Sequence, residues 1–285
     1  MRVERLPAPG SKIQGTDLVI TSGGCAANAA VAAARLGGRV SFAGPLGDAA
    51  DATSSRIVAD LEAAGIDCRG VVRVPGATAS VSLVLIDATG EKSIATRRGQ
   101  GLSDGRPADA PALAADADAV LIDNRFPDFA TPIARAARAR DLPLVIDADR
   151  ATTADDPLLA LGTHVIASAD ALAGTTGTRD PAAGLAKLAA HVAGFLAVTG
   201  GPRGIWWRAG GTLRHMPAFP VKAVDTLAAG DIFHGAFALR LAEGGDVVSA
   251  LRFAAAAAAL KCTRFGGGAS APTRAEVEAF LQAQG

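Results

Sequence analysis

This chain contains no tyrosine, and only 4% of its 285 residues are aromatic. Alanine and glycine are abundant instead, a composition that suits helices packed closely on a sheet and carries no chemistry of its own. An excess of charge of one sign is missing too: 28 basic residues balance 28 acidic ones. A broad basic face, and with it a large nucleic-acid interface, gets no support from that balance. Apolar runs are short. The longest, Phe253 to Leu260, falls far below a bilayer span, and Met1-Arg2-Val3-Glu4-Arg5-Leu6-Pro7 lacks the apolar core of a signal peptide. Cys25, Cys68 and Cys262 are scattered and show no zinc-ligand spacing. A reduced, cytoplasmic setting is expected, with no membrane or nucleic-acid partner. The P-loop spacing Gly-x-x-x-x-Gly-Lys-Ser/Thr is absent, and so is the Gly-x-Gly-x-x-Gly dinucleotide fingerprint, which argues against a nicotinamide-dependent oxidoreductase.

What is present is ample material for a core: 49% hydrophobic and 20% charged residues. Short apolar, β-branched-rich segments (Arg39–Ala43, Ala119–Asp123, Leu142–Asp147, His164–Ile166, Phe195–Thr199) alternate with helical stretches (Ala26–Leu36, Ser54–Ala64, Pro132–Ala139, Pro181–His191). That rhythm predicts an α/β fold with a mostly parallel sheet covered on both faces. One region breaks it. Thr78–Ile86 alternates polar and apolar, Asp87-Ala88-Thr89-Gly90 supplies a turn, and Lys92–Thr96 follows, a hairpin with one half-buried face. With the extended-looking Lys12–Ile20 it predicts a small second sheet, either a lid or a purely structural hairpin. A single domain over 1–285 is expected, with the lid from about 8–22 and 72–99 and the core from about 23–71 and 100–285. The last third reads as three helices, Ala229–Ala242, Val247–Cys262 and Arg274–Gln282.

Two segments carry chemistry. In the first, a strand-like Phe219–Val224 runs into Asp225-Thr226-Leu227-Ala228-Ala229-Gly230-Asp231, a small-residue turn opening a long helix. Orphan N–H groups and the dipole at a helix start bind anions, and small residues allow a phosphoryl group close to the backbone. Asp231 could take the proton of an attacking alcohol, or could merely cap its helix. The second segment, Ser22-Gly23-Gly24-Cys25-Ala26-Ala27-Asn28, places an amide suited to a polyol on the first turn of a helix after a diglycine. Alone, such a diglycine more often serves only the geometry of a helix start.

Together, about 200 residues apart, these segments resemble the two signature motifs of the ribokinase/PfkB-like carbohydrate kinases. Gly44-Pro45-Leu46-Gly47-Asp48 and Val198-Thr199-Gly200-Gly201-Pro202-Arg203-Gly204 extend the likeness over nearly the whole chain. The resemblance implies a three-layer αβα sandwich with a small β-sheet lid through which the chain dimerises. It implies ATP and magnesium as cofactors, with potassium a further candidate cation, and a small sugar as substrate. Asp231 would be the base and the N–H groups of Ala228, Ala229, Gly230 and Asp231 the anion hole. Gly24 and Asn28 would lie on the sugar side. Thr199, Gly201, Gly204, Ser168, Ala256 and Ala259 would lie on the nucleotide side, with no dedicated metal ligand. Within the family the likeness is densest to sulfofructose kinases, in Asp231–Ala236 and Ala259–Arg264. There a Lys, an Asn and an Arg grip a sulfonate, and the matching positions are Lys12, Thr96 (beside Arg97 and Arg98) and Arg125; solvated lid charges are the plainer reading of Lys12 and Arg97. An Arg fork and a Lys suit such an oxygen set. A nucleoside kinase and a catalytically silent binding protein on the same fold remain alternatives.

Three departures from the family pattern bear on activity. Ala228 stands where Gly is usual, tolerable at negative φ but costing roughly 1–2 kcal/mol at positive φ. The Asn-x-x-Glu element falls at Ser168-Ala169-Asp170-Ala171 and lacks its Glu. The family's first core strand has no counterpart before Pro7, so the main sheet should lack one strand and no carboxylate should fill the sugar-gripping position at its end.

Overall fold

A computed structural model describes residues 1–88, 90 and 92–284. Short strands β1 (Arg2–Val3) and β2 (Gly15–Asp17) lead into helix α1 (Cys25–Arg35), followed by β3 (Ser41–Leu46), α2 (Ala52–Ala63) and β4 (Asp67–Arg73). Strands β5 (Val81–Ile86) and β6 (Lys92–Arg97) form a hairpin, and a short α3 (Ala110–Ala114) comes next. Then the alternation sets in: β7 (Val120–Asp123), α4 (Pro127–Ala139), β8 (Leu144–Ala148), α5 (Pro157–Leu161), β9 (His164–Ser168), α6 (Ala169–Thr176), α7 (Pro181–Leu188) and β10 (Phe195–Thr199). A second hairpin, β11 (Ile205–Ala209) and β12 (Thr212–Met216), precedes α8 (Ala229–Ala242), α9 (Val247–Cys262) and α10 (Arg274–Ala283).

Helix starts are written locally. Asp51, Asp109, Asp156, Asp180 and Asp246 each cap a helix by accepting from a first-turn N–H, and proline enters the first turn of α3, α4, α5 and α7. The main sheet has the order β12-β11-β10-β9-β8-β7, parallel from β7 to β10 and antiparallel beyond. Its central strands are enclosed on both faces. Val145, Ile166 and Ala197 point into a core built with α1, α8 and α9, while Leu144, Ile146, Val165, Leu196 and Val198 point into another built with α4, α5 and α7. Helices on both faces make the three-layer sandwich. The shortage of aromatics has its counterpart here: α1, α8 and α9 meet largely through alanines (Ala32, Ala236, Ala250, Ala254, Ala257), and Gly235 of α8 lies against the backbone of Ala29 in α1.

The separate small sheet exists, with the order β2-β1-β5-β6. It differs from expectation in composition: Arg2–Val3 belongs to it, whereas β4 pairs with β3 in the core through Arg73. Within the turn between β5 and β6, Thr89 lies outside the described residues. Phe219–Val224 forms no strand, because Pro220 has no N–H to give a ladder. The β11–β12 hairpin was not anticipated; Gly210 and Gly211, both at positive φ, make its two-residue turn. The main sheet ends at β7. β3 and β4 form a two-stranded parallel sheet of their own, and α1 packs against both β3 and β7 across the break.

Candidate active site

Parallel strands deliver their carboxyl ends to one edge of a sheet, where open α/β folds place ligands. Here that edge carries Asp123 of β7 level with Asp147 of β8, and Ser168 of β9 level with Thr199 of β10. Above it stands the start of α8. Because Gly235 lets α1 and α8 approach closely, Asn28 reaches across and its Nδ2 donates to Asp231 Oδ2 at 2.6 Å.

Asp231 is therefore not its helix's cap. The capping position falls to Ala228, whose side chain offers no hydrogen bond. Ala229 N–H is used by Thr226 O, leaving the N–H groups of Gly230 and Asp231 among the helix's orphan donors. The space in front of them is open: a Cβ at Gly230 would meet nothing within 4 Å. Burial pushes the Asp231 carboxyl above its ordinary range, partly offset by the Asn28 amide. Behind the turn, His234 Nδ1 donates to Gly230 O at 2.8 Å, pinning the peptide that carries one of those donors. Burial draws this imidazole's pKa down, and its Nε2 faces Ile166 O at 3.4 Å.

Ala228 adopts φ 62° and ψ 9°, the left-handed region. Ala228→Gly removes that penalty and should stabilise the chain by about 1 kcal/mol, raising Tm by roughly 2–4 °C. Calorimetry checks this; a lower Tm would mean the turn tolerates Ala without strain.

Sequence reasoning missed the partners that gather around Asp231 and Arg125. Cys25, Asp147 and Asp231 bring their Sγ and carboxylate oxygens within 4.8 Å of one another. Arg125 Nη2 donates to Cys25 Sγ at 3.4 Å and pairs with Asp149, the exposed carboxylate just past β8. Asp123 accepts from the N–H groups of Ala26 and Arg125. Asp149 comes in from the β8 turn beside Arg125 and Cys25. The signal was present in Leu-Ile-Asp and Val-Ile-Asp, strands ending on an acidic residue. Burial drives Asp147 well above the ordinary carboxylate range, and Asp231 pushes it further. A carboxyl raised in the folded state stabilises below its unfolded pKa and loses that contribution as pH rises toward the folded value. Asp147→Asn should therefore raise Tm at pH 8 and change it little at pH 4; an equal change at both would sink the argument.

The remaining expected residues divide. Gly24 caps α1 at φ 106°, a conformation that favours glycine, and no atom within 4 Å would meet its Cβ. Thr96 lines the cleft, its Oγ1 2.8 Å from Ser82 Oγ, and Arg98 lines it too. Arg97 lies instead by Val81 and Leu83, and Lys12 is exposed outside the cleft. Ser168 Oγ caps α6, and Thr199 Oγ1 donates to Ala167 O. Gly201 is open, whereas a Cβ at Gly204 would strike Met216 O, so Gly204 serves the β12 crossing. Ala256 is sealed in the core and Ala259 nearly so. Asp170, almost fully exposed at the start of α6, sits 3.9 Å from Arg179.

Comparison with known proteins decides the class. Residues 1–274 match the model of the pfkB family carbohydrate kinases. The chain belongs to that family. This carbohydrate kinase is 31% identical to ribokinase of Bacillus subtilis over 98% of its own length and 94% of the relative's. Among solved structures it superposes on a candidate ribokinase from Agrobacterium tumefaciens with TM-score 0.93 and 39% identity, covering 99% and 94% of the two chains. It superposes on Arabidopsis thaliana ribokinase complexed with ribose and ATP with TM-score 0.82 and 27% identity, covering 99% and 94%. A sugar kinase of the ribokinase type is thereby an enzyme that uses ATP. No helix among its described residues is long and apolar enough to cross a membrane.

Proposed function

We propose that this kinase transfers the γ-phosphoryl group of ATP to a primary hydroxyl of a small ketohexose-like sugar, with sulfofructose the first candidate and fructose the next. The observation that carries the reading is the Asp231 carboxylate, held by Asn28 beside two free helix-end N–H groups and open space. Asp231 takes the proton from the sugar hydroxyl as it attacks phosphorus, and the Gly230 and Asp231 N–H groups receive charge on the moving phosphoryl oxygens. Asn28 orients the carboxylate. Magnesium takes few protein ligands and keeps several waters, so no Glu is required, and Asp170 at the start of α6 would be the residue to help hold it. When bound it neutralises the phosphate charge.

An anionic end on the sugar is supported by Arg125 and Arg98 on the cleft wall, with Lys12 able to join only if the lid closes. Arg125 is half-neutralised by Asp149, so a neutral ketose is the competing substrate. Exposed Val81 and Leu83 on the lid strand β5 support pairing of two copies through the lid. Coupled ATP turnover over sulfofructose, fructose, ribose and ribose 1-phosphate tests the substrate. A preference for sulfofructose that Arg125→Gln abolishes supports the assignment; a preference for ribose overturns it.

A further inference from the structure

Of all the charged side chains described, Lys261 is enclosed most completely. It lies in the last turn of α9, 0% exposed, beneath the turn that opens α8. Its ammonium has three donors, and three oxygens receive them: Asp225 O at 2.8 Å, Asp225 Oδ2 at 3.0 Å and Arg264 O at 3.3 Å. A positive charge ringed by two backbone carbonyls and one carboxylate is the arrangement a monovalent metal ion would take. Here the protein supplies the cation covalently, and the oxygens are already used.

The cluster leads straight to the reacting end. Asp225 Oδ1 accepts Leu227 N–H at 2.7 Å, and Oδ2 accepts Gly266 N–H at 3.0 Å. Leu227 immediately precedes Ala228, whose left-handed backbone persists only if its surroundings fix it. Two residues on, Gly230 and Asp231 present their N–H groups. On the other side, the loop that Lys261 ties through Arg264 and Gly266 continues into Gly268, packed against the Asn28 side chain. One ammonium thus holds both loops that bring Asn28 and Asp231 together. Burial draws the Lys261 pKa down while Asp225 holds it up, and the geometry of three acceptors requires the protonated form.

Resting on the kinase reading above, we infer that Lys261 is a built-in monovalent cation, a positioning residue that keeps the anion-hole turn ordered and makes turnover independent of added potassium. Potassium does not fit as a cofactor at this cluster, because the lysine already fills it.

The test compares initial rates in sodium, potassium and tetramethylammonium chloride at equal ionic strength. Wild-type rates should agree across the three salts; activation by potassium of about tenfold or more overturns the inference. Lys261→Ala should lower kcat by about a hundredfold or more through misplacement of the turn. Potassium, ammonium or methylammonium should then restore part of that loss in the variant while leaving wild type unmoved. A folded Lys261→Ala protein with full activity, or one that no cation rescues, reduces Lys261 to packing and overturns the inference. Should Lys261→Ala fail to fold, Lys261→Met carries the same comparison, and the wild-type salt series stands alone. A wild type that phosphorylates no sugar in any salt strikes the kinase reading instead. Calorimetric ATP affinity in the same salts then decides for Lys261: constant in wild type, weakened in the variant and recovered by potassium.

Discussion

Asp231→Asn should lower kcat by about 10²–10⁴-fold while leaving KM for ATP nearly unchanged, the signature of a lost general base. The substitution is nearly isosteric, so Asn28 keeps a partner and α8 keeps its start. Stability should not fall, since burial already disfavours the charged carboxylate in the folded chain. The pH profile adds a second check. A base works deprotonated, so kcat/KM should decline as pH falls through a pKa above the usual carboxylate range, and this limb should vanish from the residual activity of the variant. Loss of only a few-fold in kcat would return Asp231 to a structural role and favour a silent binding protein.

The second large effect is expected at Gly235→Ala. In a solvent-facing helix this change would stabilise by about 1 kcal/mol. Here the added Cβ would stand 2.3 Å from Ala29 O, with the Ala29 carbonyl carbon and Cα at 3.0 and 3.1 Å. All are backbone atoms, so α1 and α8 must separate. Overpacking of this kind costs about 1–3 kcal/mol, enough to outweigh the propensity gain and lower Tm by roughly 2–10 °C. Activity should fall as well, because the same shift draws Asn28 off Asp231. Unchanged Tm and kcat together would show that the helices slide without cost.

Much of this was legible beforehand. Strand–helix alternation located β7 to β10 closely, and Ala229–Ala242 and Val247–Cys262 were bounded to the residue. The β11–β12 hairpin escaped because Trp206, Trp207 and Leu213 lie in no clean alternation and its turn rests on two glycines. Asp231 and Asn28 could be picked out because helix-start chemistry is local. Asp147, Asp149, Cys25 and His234 could not. Each is an ordinary residue in its own segment, and only strand register and the α1–α8 crossing bring them within reach. Lys261 looked like one more polar residue ending an alanine-rich helix; nothing nearby in sequence announces Asp225, 36 positions earlier, as its partner. The nucleotide-side alanines show the opposite error, with Ala256 placed by likeness yet sealed from any ligand.

The break between β3 and β7 also bears on how the molecule comes apart. Among the described residues no backbone ladder links the β3–β4 pair to the six-stranded sheet, so the two can lose amide protection at different free energies, as separate cooperative units. The pair stays attached through side chains, with Ala43 and Val72 on the core beneath α4 and Phe42 in the cluster with α1, the helix that carries Asn28. Opening of that smaller unit, well short of global unfolding, would loosen Asn28 from Asp231 and switch off the site while most of the protein's structure persists.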